Sequence, residues 1–268
     1  MTLDLAAAAE DYRRDGAVVL RGLFDADLLA VLARGVDRNL AEPGPLCIAT
    51  GEPGRGRFVE DFRNWDRIPE YEAFVRASPL GAVAAALTGS AEVRLFHDHL
   101  LVKEAGTPTP TPLHQDQPYY CIDGRRNVSF WVPLDPVPRE STLELVAGSH
   151  AAGTWYLPRS FVEGTAMVFD EGTLAEVPDV AADPDRFPVV GWAVEPGDAV
   201  AFHMLTLHRA AGSAALRRVF GVRCIGDDVT YAPRPHRTSP PYPELEGALA
   251  PGAPLADDRL FPVLWPAP

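Results

Sequence analysis

The residue types best suited to chemistry fall in one run, Thr111-Pro112-Leu113-His114-Gln115-Asp116-Gln117-Pro118-Tyr119-Tyr120. In an extended segment alternate side chains share a face, so His114 and Asp116 can point together at one metal ion. An imidazole plus a carboxylate suits a borderline ion such as Fe(II), and one further histidine completes a two-histidine, one-carboxylate set with open coordination positions. Such a histidine lies in Pro196-Gly197-Asp198-Ala199-Val200-Ala201-Phe202-His203-Met204-Leu205-Thr206-Leu207-His208, a turn followed by a mostly apolar strand. His203 and His208 are an odd number of residues apart, so in an unbroken strand they face opposite ways and only one is the ligand. His208 ends the strand, where a barrel mouth would lie, and is the expected ligand. His203 is read as a hydrogen-bonded core or pocket-wall histidine.

Two groups of cations accompany this set. Arg217 and Arg218 follow His208 after the short loop Arg209 to Leu216, a spacing that predicts a hairpin. An arginine on the strand beside the distal ligand can hold a dicarboxylate through a bidentate, charge-assisted pair. Alternation allows only one of the two inside, and either can be that one. Lys103 shares a strand face with His97 and His99; directed inward it needs an anionic partner, whereas at a strand end it can also reach water. The His97-x-His99 pair has ligand spacing but no carboxylate to complete it, so both are read as pocket lining, as are Tyr119 and Tyr120.

The elements that must position these groups change character along the chain. Residues 1–90 read as mainly helical scaffold. A helix runs from Leu5 to Arg14 and Gly16 ends it before the strand Ala17 to Leu20. Asp25 caps a second helix with apolar Leu28, Leu29, Leu32 and Val36, and Ser78-Pro79 starts a third that stops at Gly89. From residue 91 to 230 strands dominate: Val93 to Lys103, Asn127 to Leu134, Val189 to Val194, Asp198 to His208 and Arg217 to Ile225, separated by Gly and Pro. Helices followed by many strands, without βαβ alternation, predict an α+β fold with an antiparallel barrel or jelly roll, the helices packed outside. Residues 151–188 read as an insertion that partly lines the pocket, and the Pro-rich tail 231–268 as a surface wrap.

Composition narrows the partners. The chain's 268 residues, 47 % hydrophobic and 23 % charged, suit one globular domain. A net charge of −13 repels phosphate backbones and anionic lipid, which argues against nucleic-acid and membrane partners and leaves a small molecule. Cys47, Cys121 and Cys224 are odd in number and form no Cys-x-x-Cys, as expected for a cytoplasmic protein without a zinc ribbon. No signal-like apolar segment follows Met1, and the best apolar stretch, Pro79 to Leu87, is too short to span a bilayer.

From Phe96 to Asp228 the chain resembles the phytanoyl-CoA dioxygenase family of iron(II)/2-oxoglutarate enzymes, particularly its bacterial members. The matching pieces are Leu101-Val102-Lys103, His114-Gln115-Asp116, Val128-Ser129-Phe130-Trp131, Gly148-Ser149-His150, Gly197-Asp198, Leu207-His208 and Arg217 to Asp228. The resemblance implies a double-stranded β-helix, with His114, Asp116 and His208 as iron ligands and catalytic centre. It places Arg217 on the far carboxylate of 2-oxoglutarate, with Arg218 the alternative because the preceding loop is short. Lys103, Trp131 and His99 fall beside the co-substrate, and Gly148-Ser149-His150 matches a structural turn. The implied reaction uses Fe(II), 2-oxoglutarate and O2 to oxidise, in the first instance hydroxylate, a small organic molecule, with release of succinate and CO2. An aspartate at position 116 implies oxidation rather than halogenation, and a role in secondary metabolism is the expected setting. The competing expectations are a redox-neutral metal-dependent cupin such as an isomerase, or a non-catalytic small-molecule binder. Neither needs an anchor for a dicarboxylate.

Overall fold

The computed structural model describes residues 3–52, 54, 56–158 and 174–266. In chain order the elements are α1 (Leu5–Asp15), β1 (Ala17–Leu20), α2 (Ala26–Ala41), β2 (Ile48–Thr50), β3 (Phe58–Phe62), α3 (Pro69–Ala77), α4 (Leu80–Thr88), β4 (Val93–Lys103) and β5 (Thr111–His114). They continue with β6 (Ile122–Asp123), β7 (Asn127–Pro133), β8 (Leu143–Val146), β9 (Val189–Val190), β10 (Ala199–Phe202), β11 (His208–Ala210), β12 (Arg217–Gly226), β13 (Thr230–Tyr231) and β14 (Val263–Trp265).

The strands form antiparallel sheets. The large one has the order β1-β10-β7-β12-β4-β3-β2, with β14 also paired to β4; the smaller has the order β5-β11-β8-β9. A two-stranded ladder joins β13 and β6. One face of the large sheet is covered by the helices. Phe220 is fully buried there, with its ring centroid 4.3 Å from Tyr71 and 6.0 Å from Phe74. Tyr12 of α1 donates its hydroxyl to the carbonyl of Asn127 at 2.5 Å, fastening that helix to β7. The helix boundaries follow local chemistry: Asp4 and Asp25 cap α1 and α2 by accepting backbone N–H bonds, and Gly16 and Gly89 end α1 and α4 at positive φ.

Several elements differ from the sequence reading. Ser78 does not cap α4; it closes α3, and its hydroxyl donates to Val75 O. The 1–90 segment is less purely helical than its composition suggests, because β2 and β3 extend the large sheet past β4. All five residues of β3 are buried, so Phe58-Val59-Glu60-Asp61-Phe62 lacks the apolar–polar alternation of a half-exposed strand. The tail is more than a surface wrap: Tyr242, Leu245 and Phe261 are buried in a common apolar cluster with Phe96 and Tyr120. Of the expected strand 189–194, only Val189–Val190 pairs as a named strand.

The expected continuous strand Asp198 to His208 is broken, and the break matters most for the site. β10 belongs to the large sheet and β11 to the small one, with a turn between. His203 N donates to Gly16 O at 2.9 Å, Thr206 N to His203 O at 2.8 Å and Thr206 Oγ1 to Gly16 O at 2.8 Å. Gly16 must be glycine for this corner: a Cβ there would lie 2.5 Å from Thr206 Oγ1, and its φ is +73°. Because the chain changes sheets, β11 and β12 do not form the expected hairpin. β11 pairs with β5 and β8, whereas β12 pairs with β4 and β7.

Candidate active site

Between the sheets lies a cavity of about 550 Å³. The register of the large sheet lays its floor out in rows across strands. Phe58, Lys103 and Arg217 form one row; Ile48, Glu60, Leu101 and Val219 the next; Phe62, His99, Gly221 and Trp131 the third. Each of these side chains lines the cavity, Gly221 excepted. A fourth row, His97, Arg223 and Ser129, lies under the metal-ligand candidates.

His114, Asp116 and His208 converge at one wall. One ligand atom from each lies within 4.8 Å of the others, and all three residues are 4 % exposed. His114 and His208 are direct register partners on β5 and β11. Asp116 reaches them differently from the strand alternation expected: it has left the strand and is helical, at φ −72° and ψ −46°. The two ligand-bearing segments are laced together by amides. Gln115 Nε2 donates to Leu205 O at 2.9 Å, Gln117 N to Met204 O at 2.9 Å, and Met204 N to Asn127 Oδ1 at 2.9 Å.

Hydrogen bonding prepares each donor atom. His114 Nδ1 is 2.8 Å from Pro112 O and His208 Nδ1 is 2.9 Å from Thr206 O. A carbonyl only accepts, so each Nδ1 carries the proton and each Nε2 keeps its lone pair for a metal. Burial, then the neighbouring His114, pushes His208 down to about 3, which keeps it neutral at physiological pH. Asp116 Oδ1 lies 3.5 Å from His114 Nε2 and 3.6 Å from His208 Nε2. Its other oxygen, Oδ2, accepts from Ser129 Oγ at 2.9 Å and faces Arg223 at 3.4 Å. Burial alone would raise the Asp116 carboxyl, but the Arg223 guanidinium facing Oδ2 holds it well below the usual range. Three donors of this chemistry, neutral imidazole twice and carboxylate once, fit a mononuclear Fe(II) with one face left to the cavity.

Arg223 is a functional neighbour the sequence reading did not single out. It is fully enclosed, its Nε 3.3 Å from the Tyr120 hydroxyl. Gly221 makes room for it, since a Cβ there would meet Arg223 Nη1 at 2.0 Å. Parity was the available signal: Arg217, Val219, Gly221 and Arg223 share one face of β12.

The second wall holds two cations that form no ion pair among the described residues. Lys103 Nζ donates to Thr109 O at 2.8 Å, Ala211 O at 3.0 Å and Thr111 Oγ1 at 3.4 Å. Arg217 donates to Ser141 O, and its Nη2 is 3.5 Å from Ala211 O. Burial, reinforced by Arg217, takes the Lys103 ammonium down to about 7, and burial takes Arg217 down to about 10. Arg218 points the other way, where Asp135 holds it at 2.8 and 3.1 Å. Arg217 stands 6.0 Å from the Trp131 ring.

The remaining candidates divide. Tyr119, Tyr120 and His99 line the cavity. His97 does not; it is buried behind, edge-on to Tyr120 at 5.0 Å, and both ring nitrogens lack hydrogen-bond partners. His203 lies outside the triad: Leu205 N donates to its Nδ1, and its Nε2 lies 2.9 Å from Arg125 O. None of the described residues of 151–188 lines the cavity, and 159–173 lie outside the described residues. Glu60 and Phe62 of β3, and Thr238 to Pro241 of the tail, take that place.

The phytanoyl-CoA dioxygenase family model matches residues 12–219. The chain belongs to this family. It is therefore an enzyme of the iron/2-oxoglutarate oxygenase type, with the sheet architecture its relatives share. Among solved structures it is similar to the non-haem α-ketoglutarate-dependent epimerase SnoN from nogalamycin biosynthesis. There the identity is 25 %, 97 % of this chain and 98 % of that chain are covered, and the TM-score is 0.74. The carbocyclase SnoK from nogalamycin biosynthesis matches at 24 % identity over 96 % and 95 % of the two chains, with a TM-score of 0.73. EctD from S. alaskensis, solved with 2-oxoglutarate and 5-hydroxyectoine, matches at 22 % over 94 % and 85 %, with a TM-score of 0.67. No curated protein matches the chain. Among the described residues no helix is long and apolar enough to cross a membrane.

Proposed function

We propose that the protein is an Fe(II)- and 2-oxoglutarate-dependent dioxygenase that hydroxylates a small organic molecule, its two main sheets being the halves of a double-stranded β-helix. One observation carries the co-substrate assignment: Lys103 and Arg217 are buried in the wall of the cavity that the triad faces, with no acidic ion-pair partner among the described residues. Two desolvated cations call for a dianion, and 2-oxoglutarate spans from a metal chelate to a distant carboxylate.

When bound, iron with 2-oxoglutarate and O2 supplies the oxidising power that removes hydrogen from a substrate C–H bond, with succinate and CO2 as co-products. His114, Asp116 and His208 would hold the ion. Ser129 and Arg223 keep Asp116 Oδ1 turned toward it by occupying Oδ2. Arg217 is the direct anchor of the far carboxylate, because the three Lys103 N–H groups already have acceptors; Lys103 contributes charge, and Trp131 and Leu101 enclose the carbon chain. Asp116 would supply an anionic oxygen ligand where a halide would otherwise bind, which favours oxygenation. Similarity to an epimerase and a carbocyclase allows a different fate for the substrate after hydrogen removal, decided by how the substrate sits.

The deciding experiment adds Fe(II) and 2-oxoglutarate without oxygen and records the weak visible charge-transfer band of the chelate. Its appearance, lost in Asp116→Ala, supports the assignment. Its absence, together with no 2-oxoglutarate binding by calorimetry, would return the redox-neutral cupin reading, for which the two buried cations have no use.

A further inference from the structure

Strand β3 brings an acid into the same cavity. Alternation turns Phe58, Glu60 and Phe62 to the cavity, while Asp61 faces away and accepts from Asn39 and Gly44. Glu60 is 5 % exposed, and its neighbours in its row are Ile48, half-exposed at the rim, and Leu101, both apolar. Its Oε1 lies 3.3 Å from His99 Nε2, a contact that falls short of good hydrogen-bond geometry and leaves the hydrogen-bonding capacity of both atoms largely unfilled. Among the described residues no lysine or arginine forms an ion pair with it; Lys103 feels its charge from the neighbouring row, but its donors go to Thr109, Thr111 and Ala211.

His99 does not neutralise this charge. Its ring stacks on Phe62 at 3.9 Å, and burial outweighs the opposing pull of Glu60 to leave its pKa below the ordinary histidine value. Glu60 and His99 together therefore present one negative charge and unfilled hydrogen-bonding atoms to an aromatic-walled space. A buried carboxylate in that position is costly unless something cationic and hydrogen-bonding fills it. A hydroxyl group would satisfy one acceptor and leave the charge. An ammonium satisfies both needs.

We propose that Glu60, with His99 beside it, forms a subsite that receives a protonated amine on the organic substrate. The proposal deepens the oxygenase reading and rests on its assignment of this cavity to the substrate. The subsite lies one strand in from the rim at Ile48 and one row from Trp131, so an amine held there places the attached carbon skeleton between the mouth and the triad.

The test uses the full-length protein loaded anaerobically with Fe(II) and 2-oxoglutarate, titrated at pH 7.5 with 2-phenylethylamine and with 2-phenylethanol, its neutral match in size. Tryptophan fluorescence reports binding, since Trp131 lines the cavity. The amine is expected to bind about ten- to a hundredfold tighter than the alcohol, the range for a hydrogen bond to a charged group. Glu60→Gln should erase that preference and Glu60→Asp should keep part of it. Equal binding of the two probes, no saturable amine binding, or a preference that survives in Glu60→Gln would overturn the subsite. The wild-type comparison decides alone if Glu60→Gln fails to fold. The charge-transfer band of the same sample separates the two readings. A band without amine preference removes the subsite and leaves the oxygenase; amine preference without a band does the reverse.

Discussion

The two walls of the cavity treat buried charge in opposite ways. At the triad, Asp116 is matched within the protein: Arg223 and Ser129 take one oxygen, and Arg223 is in turn held by the Tyr120 hydroxyl. At the other wall, Lys103 and Arg217 face one another across β4 and β12, hydrogen-bonded among the described residues only to carbonyls and a hydroxyl. The first wall is complete before any ligand arrives, apart from the three donor atoms it holds out. The second is incomplete, and burial has already pulled both of its cations down from their ordinary values. The difference shows how one fold separates a site that must be rigid from a site that must be filled. A balanced network fixes geometry, and an unbalanced one stores affinity for the missing charge.

The strongest way to break this contrast is Arg217→Met. If Arg217 is the unmatched cation that meets a carboxylate, its loss should weaken 2-oxoglutarate binding by about 2–5 kcal/mol, because the anion is left buried and half-paired. Calorimetric titration in the presence of Fe(II) or Zn(II) checks this. An affinity unchanged within a factor of three would mean that the co-substrate lies elsewhere. Arg223→Met attacks the balanced wall. Removing a partner behind a metal ligand typically costs about 10–100-fold in metal affinity. Competition against a chelator should show that loss for iron, with 2-oxoglutarate affinity measured separately at saturating metal. The contrast fails if Arg223→Met leaves metal affinity intact.

How far the sequence carries this picture depends on what each residue's role required. His114, Asp116 and His208 were legible from residue type and spacing, but for partly mistaken reasons. The strand parity that allowed only one of His203 and His208 to be a ligand does not operate, because the chain turns at His203 and changes sheets. What excludes His203 is that its ring is used within that corner and reaches the Arg125 carbonyl. Arg217 was half-legible: alternation admitted one arginine, and only the position of Asp135 on the other side shows which. Glu60 was not legible at all. It sits in a short strand buried on both faces, inside a segment whose composition reads as helical, and only pairing with β4 turns it to the cavity. Side chains whose role comes from a partner on another element leave little trace in local pattern.

Charge imbalance at the second wall also predicts a pH dependence. The Lys103 side chain releases its proton near pH 7 in the unliganded protein, against an ordinary value of 10.5. The unfolded chain still holds that proton, so from about pH 7 upward this group makes the unliganded fold more stable as pH rises. A bound dianion reverses the preference by drawing the proton back. Affinity for 2-oxoglutarate should therefore be level below about pH 7 and fall above it, by up to about tenfold per pH unit. Titrations in buffers of different ionisation enthalpy should show proton uptake on binding at pH 8. Lys103→Met should abolish the uptake and flatten the profile, and an unchanged profile in that variant would assign the titration to another group.

The smallest expected effect sharpens the contrast by its size. Arg218 is next to Arg217 in the chain but on the other face of β12, where its Nη2 and Nε meet the two Asp135 oxygens at 2.8 and 3.1 Å. Its backbone N–H also donates to Asp135 at 2.8 Å, and substitution leaves that bond in place. The side-chain pair is a quarter exposed on the arginine side, so solvent screens it. Arg218→Ala should then lower stability by no more than about 1 kcal/mol, in the range of partly exposed ion pairs. Its 2-oxoglutarate affinity should stay within about twofold of wild type, because a cation already matched by Asp135 has nothing left to offer an incoming carboxylate. Thermal unfolding and calorimetry on the same variant give both numbers. If Arg218→Ala loses co-substrate affinity while Arg217→Met does not, the balanced and unbalanced cations have been exchanged, and the wall that β12 turns to the cavity is the wrong one.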